Sequence, residues 1–489
     1  MKLVYKPAPN YRSPQSTSGI MRDLTLCLCA ITVFSVLYYS MTLGASAGLR
    51  VVIMMAVSVI CALATEAVWY KCTKQDVLTG IKTSYGWVTG MILTLMSSIN
   101  VSVYALGVAT VIAILFGKMV FGGFGQNIFN PAAFGEAILM NTFAGSNTDV
   151  LTGATPAAAM KAYGWMASNE AFGTFLADKG FGSLGQMFLG WYPSVIGNTS
   201  ALLILLCFAF LIWRKDIDWQ TTVFYICGVF VITLVIGLMR GRGLWYPLFH
   251  VLAGGVLFGG VFMMTDPVTS PVTIAGRVIF AIGAAALTVI FRLRSNMPDG
   301  VLYSILLMNM MTPAIDKIME GSQIKDFTKI RNKVLIIGGC LSLVALGVGA
   351  IAEEKVPAAA PASADAGDDQ YKVEVEEISN DGSTAVYHVS ADGFGLIDPD
   401  GIASSSGHEY SRNELEITVD LATQSVAKVV LKNFGDTEGI GDSATGKRVL
   451  NGYKEATLDT ELSTVTGATW TSSSVNAMVK AALNAAAGN

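Results

Sequence analysis

The sequence predicts a polytopic α-helical membrane protein joined to a small soluble α+β domain. Apolar residues make up 52% of the 489 residues and charged residues only 14%, whereas soluble proteins contain about 25% charged residues. The long apolar runs lie within residues 1–352, while residues 353–489 have the composition of an acidic soluble domain. Alternating apolar and polar residues in this second region predict β-strands.

The first 23 residues predict a cytoplasmic arm. This segment is polar and basic, and it lacks the short apolar core and small-residue cleavage site of a signal peptide.

Two classes of binding site are disfavoured by the composition. The net charge of −4 argues against nucleic acid as a partner. The seven cysteines lie in or beside apolar segments, and their spacing predicts neither a disulfide framework nor a metal site.

About eleven apolar segments are candidates to cross the membrane, since a span needs about 20 apolar residues. The segments near that length are 24–44, 51–70, 199–213, 221–239, 277–291 and 334–352. The shorter or interrupted segments are 86–97, 101–117, 128–143, 246–264 and 299–315. A membrane domain is therefore predicted over residues 24–320, with an additional transmembrane helix at 334–352 and about ten to eleven spans in all.

Lysine and arginine positions predict the orientation of these segments. The helix at 334–352 follows the basic stretch 325–333 and leads into an Ala/Pro/Asp-rich linker at 353–370. The soluble domain at 371–489 is therefore predicted to be external. The apolar run that ends at Trp213 meets two basic residues on the inside, which places the loop 144–195 outside. The tetrapeptide Thr-Gly-Ala-Thr, which occurs at 152–155 and again at 466–469, then faces one compartment in both copies.

Two stretches of the membrane region resemble each other and predict inverted repeats with broken helices. Each begins with Phe-Gly-Gly, at Phe121 and Phe258, and then has a polar residue before proline, in Asn130-Pro131 and Asp266-Pro267. Glycine and proline interrupt helices, and paired interruptions in two halves of a chain are typical of repeats around a central site. The alternative is that these are ordinary glycine packing motifs followed by loop prolines.

Ionisable residues near these breaks are candidates for an ion or proton path, because a charge in hydrocarbon is energetically costly. Glu136 and Asp266 follow the two breaks and are the preferred pair. Glu66, Lys118 and His250 are further candidates, and each has a structural alternative. The alternatives are a position near the membrane interface for Glu66, a side chain that extends to the membrane surface for Lys118, and a satisfied core position for His250. No spacing of catalytic side chains is recognisable.

The tail predicts strands at 371–376, 384–391, 414–421 and 425–431, followed by a C-terminal helix. The glycine-rich loop at 433–442 is a weak phosphate-binding signal, because it does not connect a strand to a helix in the P-loop manner.

The membrane region contains six distinctive motifs. They are SPQSTSGIM (13–21), FGGFGQNIFNPAAFG (121–135), TGAT (152–155), GNTSAL (197–202), TDPVTSPVT (265–273) and LLMNMMTPAID (306–316). In combination they resemble the D subunit of the Rnf complex and its paralogue, the B subunit of the sodium-pumping NADH:quinone reductase, Nqr. The resemblance covers about residues 1–320, and the absence of a long cytoplasmic extension favours Rnf.

The tail resembles a second family, the FMN-binding domain of the Rnf G and Nqr C subunits. This resemblance rests on NFGDTEGIGD (433–442) and STVTGATWTSSSVNAMVKAAL (463–483). In both families the last threonine of a Ser/Thr-Gly-Ala-Thr motif carries FMN through a phosphodiester. The resemblance therefore implies two covalent FMN groups, on Thr155 and Thr469. The small neighbours Gly153, Ala154, Gly467 and Ala468 leave room for the flavin phosphate and the attaching enzyme.

The two resemblances imply a flavin-carrying subunit of an Rnf-type ferredoxin:NAD+ oxidoreductase in a bacterial inner membrane. Electron flow is expected to drive Na+ or H+ movement, with other Rnf membrane and iron–sulfur subunits and a flavin transferase as partners. Non-covalent riboflavin is a further candidate cofactor. The chain contains no NAD, ferredoxin or cluster site, so it is not expected to be a complete enzyme. The alternatives are a quinone-linked, Nqr-like pump subunit, or a solute transporter or channel with an external sensor domain.

Two features depart from the families' pattern. Glu438 stands in the loop DTEGIG (436–441) where proline is common, which affects the expected stiffness of the loop. The two flavin modules also usually occupy separate subunits, so the fused tail either supplements or replaces a G-type subunit.

Overall fold

The computed structural model divides the chain into two compact units, Met1–Lys355 and Val356–Asn489. Residues 1–14 of the predicted arm, the linker 353–370 and loop residues 436–442 lie outside the described residues. The structure describes residues 15–143, 155–178, 182–192, 194–198, 200–295, 299–321, 327–352, 371–392, 396, 411–421, 423–435, 445–446, 449–450, 452–454, 456–458 and 469–487.

The first unit is helical throughout its described parts. A π-helical turn, Leu115–Met119, extends α5. The helices are α1 Thr17–Leu43, α2 Ala45–Cys72, α3 Val77–Ser84, α4 Gly86–Met96, α5 Val103–Ile114, α6 Pro131–Thr142, α7 Pro156–Ala162, α8 Asn169–Asp178, α9 Leu184–Leu189, α10 Ala201–Arg214, α11 Trp219–Met239, α12 Trp245–Leu252, α13 Val256–Phe262, α14 Ile274–Arg294, α15 Val301–Ile318 and α16 Phe327–Ile351.

Each predicted apolar segment coincides with a helix or a pair of helices of this unit. Among the described residues, five helices are long and apolar enough to cross a membrane. The number rises to six if the bent pair α12–α13 is one span. Helices α4 and α10 are apolar but shorter, so the number of spans remains a prediction.

Helix α1 begins at Thr17, inside the segment predicted as an arm. The reason is local: the side-chain oxygen of Ser16 accepts a hydrogen bond from the backbone N–H of Gly19 at 3.1 Å. This N-cap satisfies one of the unpaired amides of the first turn. The end of the cytoplasmic arm at residue 23 stays a prediction, with its last residues in the first turns of α1.

The two Phe-Gly-Gly stretches are both interrupted, as expected, but at different positions relative to the glycines. Gly122 and Gly123 have φ values of +115° and +94° and lie outside any helix. By contrast, Gly259 and Gly260 lie within helix α13. The second half is interrupted on either side of that helix instead, at Ala253–Gly255 and between Met263 and Thr273. Glycine permits a break but does not require one, because packing around it decides.

Close packing in this unit depends on small residues where helices touch. A Cβ at Gly135 on α6 would lie 2.6 Å from the Cβ of Ala113 on α5. A Cβ at Gly228 on α11 would lie 2.9 Å from the Cβ of Ala285 on α14. Small residues let helix backbones approach closely, which is how membrane helices associate without a hydrophobic driving force.

The second unit contains a four-stranded antiparallel sheet with one helix packed on it. The strand order is β1-β2-β3-β4, and the elements are β1 Glu374–Asn380, β2 Thr384–Ala391, β3 Asn413–Asp420, β4 Ser425–Asn433 and helix α17 Thr469–Ala487. Alternate residues of β2 and β3 are buried, and they meet a helix face that includes Val475, Met478 and Val479. Strand β1 starts three residues later than predicted and is fully exposed, as an edge strand can be.

Candidate functional site

Thr155, the predicted flavin-bearing residue of the first copy, is the N-cap of helix α7. Its side-chain oxygen accepts a hydrogen bond from the backbone N–H of Ala158 at 3.3 Å. The residue is buried, with 9% exposure. Gly153 and Ala154 lie outside the described residues.

Thr155 lines a cavity of about 60 Å³, here called the Thr155 cavity. Its polar lining residues are far apart in sequence but converge in the fold. They are Glu136, Thr155, Ser194, Asn198 and Asp299. The cavity therefore joins the predicted flavin residue to one of the two predicted ion-path carboxylates.

Glu136 lies on α6 and is 2% exposed. One carboxylate oxygen accepts a hydrogen bond from the Ser97 hydroxyl at 3.2 Å. Among the described residues, no lysine, arginine or histidine forms an ion pair with it. An ionised carboxylate buried in this way is energetically unfavourable unless a cation or a proton compensates its charge.

Asn198 contributes a second buried oxygen to the cavity. The residue is 7% exposed, and its Oδ1 has no hydrogen-bond partner within the described part of the chain. The loop approaches the core closely at the preceding Gly197, whose backbone N–H donates to the Leu95 carbonyl at 2.6 Å. A Cβ at Gly197 would lie only 2.7 Å from the Cβ of Leu95.

Asp299 and Arg292 hold together the break between α12 and α13, which differ in direction by 51°. The Arg292 guanidinium donates to the carbonyls of His250 at 2.5 Å and Ala253 at 2.8 Å, at the end of α12. Asp299 accepts from the N–H of Gly255 at 2.5 Å, at the start of α13. The two side chains form an ion pair of 3.0 Å. They thereby satisfy backbone groups that a broken helix leaves unpaired.

His250 belongs to the same cluster and is fully buried. Its ring lies 4.8 Å from the Trp165 ring and 4.6 Å from the Tyr246 ring, measured between centroids. The interpretation of His250 as a core histidine agrees with this packing, although its Nε2 has no hydrogen-bond partner among the described residues. No group of three or more metal-binding side chains occurs in the parts of the chain that the structure describes.

The two proline-containing breaks meet at a second cavity of about 90 Å³, here called the Asp266 cavity. Asn130 caps α6 by accepting from the N–H groups of Ala132 and Ala133 at 3.0 and 3.3 Å. Its side chain also donates to the Met263 carbonyl, in the other broken segment, at 3.4 Å. The sequence comparison thus identified two stretches that do lie together.

Asn309 on α15 connects both breaks. Its Oδ1 accepts from the N–H of Asn130 at 3.2 Å, and its Nδ2 donates to the Thr269 carbonyl at 3.2 Å. Asp266 accepts from the N–H of Val268 at 3.1 Å and from the Thr269 hydroxyl at 3.2 Å. Asp266 is therefore held by its own loop.

The predicted pair Glu136 and Asp266 lines two different cavities. Helix α6 runs between them: Pro131 at its first turn lines the Asp266 cavity, and Glu136 lines the Thr155 cavity. Each residue adds about 1.5 Å along a helix, so Pro131 and Glu136 lie at different levels of α6. The carboxylates of Glu136 and Asp266 therefore face different cavities and are not in contact.

Glu66 and Lys118, which the sequence marks as separate ionisable candidates with interfacial positions as the alternative, form a buried ion pair. Lys118 Nζ lies 3.0 Å from Glu66 Oε1, and both residues are at most 2% exposed. The Ser84 hydroxyl donates to the same carboxylate oxygen at 2.6 Å, and Lys118 also donates to the Ser84 carbonyl. Lys118 lies in the π-helical turn, so the expectation that it extends to the membrane surface is wrong.

Thr469, the second predicted flavin residue, is the first residue of helix α17. Gly467 and Ala468 lie outside the described residues. The following Thr471 and Ser472 are buried, and Ser474 Oγ donates to the Asp392 carbonyl at 3.0 Å. Both predicted flavin threonines therefore stand at the start of a helix.

Sequence reasoning missed three of the residues that shape the site. Asn198 and Asn309 occur in motifs that the resemblance used, but no local pattern marks them as lining a cavity or joining two breaks. Asp299 follows a proline between two apolar segments, and an acidic residue there was a usable signal.

Comparison with known sequence families gives two matches. Residues 4–325 match the sequence model described as the NQR2, RnfD, RnfE family. Residues 411–484 match the FMN-binding domain.

Curated relatives agree with the first match. The chain is 36% identical over 324 residues to the D subunit of the proton-translocating ferredoxin:NAD(+) oxidoreductase complex of Clostridium ljungdahlii, covering 64% of this chain and 93% of the relative. It is 32% identical over 343 residues to the D subunit of the Na(+)-translocating ferredoxin:NAD(+) oxidoreductase complex of Acetobacterium woodii, covering 68% and 98%. It is 29% identical to the D subunit of the ion-translocating oxidoreductase complex of Halorhodospira halophila, covering 63% and 91%.

Proposed function

Since the chain belongs to the NQR2, RnfD, RnfE family, we propose that it is the flavin-carrying D-type subunit of an ion-translocating ferredoxin:NAD+ oxidoreductase complex. The observation that carries this proposal is the presence, in one polypeptide, of a family match over 4–325 and an FMN-binding domain over 411–484. The relatives are named as D subunits of such complexes. The chain acts as one electron-transfer subunit among Rnf partners that carry the other redox centres.

In this proposal Thr155 and Thr469 each carry one FMN through a phosphodiester. Thr155 supplies the hydroxyl oxygen that such a linkage needs, at the N-cap of helix α7. When bound, the flavin supplies one- and two-electron chemistry, while the protein supplies position and electrostatics.

The Thr155 cavity itself does not accommodate a flavin ring. Its volume is about 60 Å³, whereas pockets for small organic ligands measure about 300–1,000 Å³. The ring of a flavin on Thr155 therefore lies outside this cavity, and the cavity remains available to a smaller species.

The proposal includes an arrangement of the chain's segments relative to the membrane. Residues 24–320 form the family's membrane domain, 334–352 is a further span, and 371–489 is an external FMN-binding domain after the linker 353–370. Both flavin threonines then face the external, periplasmic side, where a flavin transferase attaches the cofactor. Glu136 and Asp266 serve as separate stations of the ion path, one in each cavity.

In-gel flavin fluorescence of the denatured chain tests this function, because a covalent flavin survives denaturation. The parent, produced with a flavin transferase, is expected to carry two flavins. Thr155→Val and Thr469→Val each remove one, and the double variant removes both. Thr471→Val, a buried threonine near the second motif, is the matched control and retains both. A parent chain without bound flavin refutes the proposal.

The electron-transfer partner is tested in the assembled complex. Exchange of electrons with ferredoxin supports an Rnf-type role, and exchange with a quinone instead of ferredoxin identifies an Nqr-like pump.

A further inference from the structure

We infer that the Thr155 cavity is a binding site for a dehydrated alkali cation, Na+, with Glu136 and Asn198 as the central ligands. This inference deepens the proposed function and rests on it, since it assigns one station of the ion path. The named relatives are described as translocating protons in one case and Na+ in another. Family membership therefore does not decide which ion binds here.

The first observation is the charge of Glu136. Its carboxylate is 2% exposed and has one hydrogen-bond donor in the described structure, the Ser97 hydroxyl at 3.2 Å. The other acid of the cavity, Asp299, is already neutralised by Arg292 at 3.0 Å. Thus one negative charge remains uncompensated, and a bound cation or a proton is required to balance it.

The second observation is independent of charge. Asn198 is 7% exposed, lines the cavity, and its Oδ1 has no hydrogen-bond partner among the described residues. Leaving a buried acceptor unsatisfied is unfavourable. A protonated Glu136 satisfies Asn198 only by donating its O–H to Oδ1, and the sodium dependence of labelling below distinguishes that arrangement from a bound cation. A cation with oxygen ligands satisfies Glu136 and Asn198 together.

The third observation is size and surroundings. A cavity of about 60 Å³ holds an ion with a few ligands but no organic molecule. The hydroxyls of Thr155 and Ser194 provide further oxygen atoms in its wall. Neither lysine nor arginine is among the described lining residues, and the neighbouring Arg292 is paired with Asp299.

This placement also explains how redox state and ion binding influence each other. Thr155, the proposed flavin attachment point, lies in the same cavity wall as Glu136. A flavin attached to Thr155 would supply redox-dependent charge beside this wall. A cation held by Glu136 and Asn198 would then be bound more tightly when that charge is more negative, with a reciprocal effect on the flavin.

Sodium and protons compete at this site, because the Glu136 proton leaves when Na+ binds. The other titratable or charged groups near Glu136 are Asp299 and Arg292, which pair with each other, and Tyr303. The Tyr303 hydroxyl interacts electrostatically with the Glu136 carboxylate. Helix α6 itself carries no other charged residue.

Labelling with dicyclohexylcarbodiimide, which reacts with buried protonated carboxyl groups, tests the inference on the purified full-length chain. Mass spectrometry measures modification of the Glu136 peptide in NaCl and in choline chloride at equal ionic strength. We expect Na+ to slow labelling of Glu136 at least about tenfold, which corresponds to about 1.4 kcal/mol of protection. Glu66, buried but paired with Lys118, is the internal control and shows no sodium dependence.

Variants separate the ligands from general packing. Asn198→Leu keeps the side-chain size but removes the oxygen, and it raises the Na+ concentration needed for protection. Asn332→Leu, an exposed position on α16, leaves protection unchanged. Labelling of Glu136 that proceeds equally in sodium and choline overturns the inference and identifies a proton-only site.

If Glu136 is not labelled even without sodium, equilibrium dialysis with radioactive Na+ decides the question. One ion fewer bound to Glu136→Gln than to the parent supports the site, and equal binding overturns it. Neither measurement needs an electron donor. A parent that lacks flavin but shows sodium protection therefore refutes the proposed function without refuting the cation site.

Discussion

Replacing Arg292 by leucine is expected to destabilise the membrane unit more than any surface change, because this side chain closes the break between α12 and α13. The guanidinium is 0% exposed and pairs with Asp299, and it satisfies the carbonyls of His250 and Ala253. It also lies 4.5 Å from the centre of the Trp165 ring. Leucine fills part of the volume but supplies none of these donors.

The expected size of the effect follows from the groups left behind. Removing one partner of a buried ion pair typically costs about 3–5 kcal/mol, and each unsatisfied buried carbonyl costs about 1–3 kcal/mol. These contributions share one site and do not simply add. We therefore expect Arg292→Leu to destabilise the fold by at least about 3 kcal/mol, more than a hundredfold in the folding equilibrium.

Unfolding in mixed micelles, followed by the loss of helical signal as denaturing detergent increases, measures this change. Arg294→Leu on the same helix is the matched control, because Arg294 is exposed and its carbonyl contact is 3.3 Å long. We expect that control to change stability by at most about 0.5 kcal/mol. The double variant Arg292→Leu/Asp299→Asn removes the stranded charge and is expected to recover at least about 1 kcal/mol of the loss.

Two results refute this reasoning. One is an unfolding midpoint for Arg292→Leu equal to that of Arg294→Leu. The other is a double variant that is less stable than Arg292→Leu, since the carboxylate of Asp299 would then not be the source of the penalty.

Three further predictions follow from other parts of the fold. Lys118→Met leaves the Glu66 carboxylate buried without its cation, so it is expected to destabilise by about 3–5 kcal/mol, with Glu66→Gln/Lys118→Met closer to the parent in the same assay. The Asp381 pKa is lowered to about 2 by hydrogen bonds from the backbone and hydroxyl groups of the following turn. Its stabilisation is therefore complete above the unfolded pKa of about 3.9 and is lost as the pH falls through about 2. Amide exchange of the β1–β2 turn is expected to follow this window in the parent and not in Asp381→Asn. Gly135→Ala places a Cβ 2.6 Å from a methyl carbon of α5 and is expected to destabilise by about 1–3 kcal/mol. Gly339→Ala on α16, whose added Cβ has no neighbour within 4 Å, is neutral or stabilising.

Much of the helical framework was predictable because span formation depends on local composition. Every apolar segment marked in the sequence coincides with a helix or helix pair. The tail strands β2, β3 and β4 likewise coincide with alternation of apolar and polar residues. Strand β1 was misplaced by three residues, because an exposed edge strand has no buried face to fix its pattern.

Polar pairing inside the membrane unit was not predictable from local sequence. Glu66 and Lys118 are 52 residues apart and were interpreted as separate groups, yet they share one ion pair. Glu136 and Asp266 were paired by analogy between two motifs, yet they line different cavities.

The sequence by itself determined the two-part architecture and the family, and it predicts Thr155 and Thr469 as the flavin-bearing residues. These depend on hydropathy and on residue types that a particular chemistry requires, and both can be read along the chain. The tertiary structure alone decided which buried polar groups share a cavity, and so placed Glu136 with Asn198 and Thr155. The physical reason is that burial makes each polar group require a partner, while the packing of distant helices determines which partner is within reach.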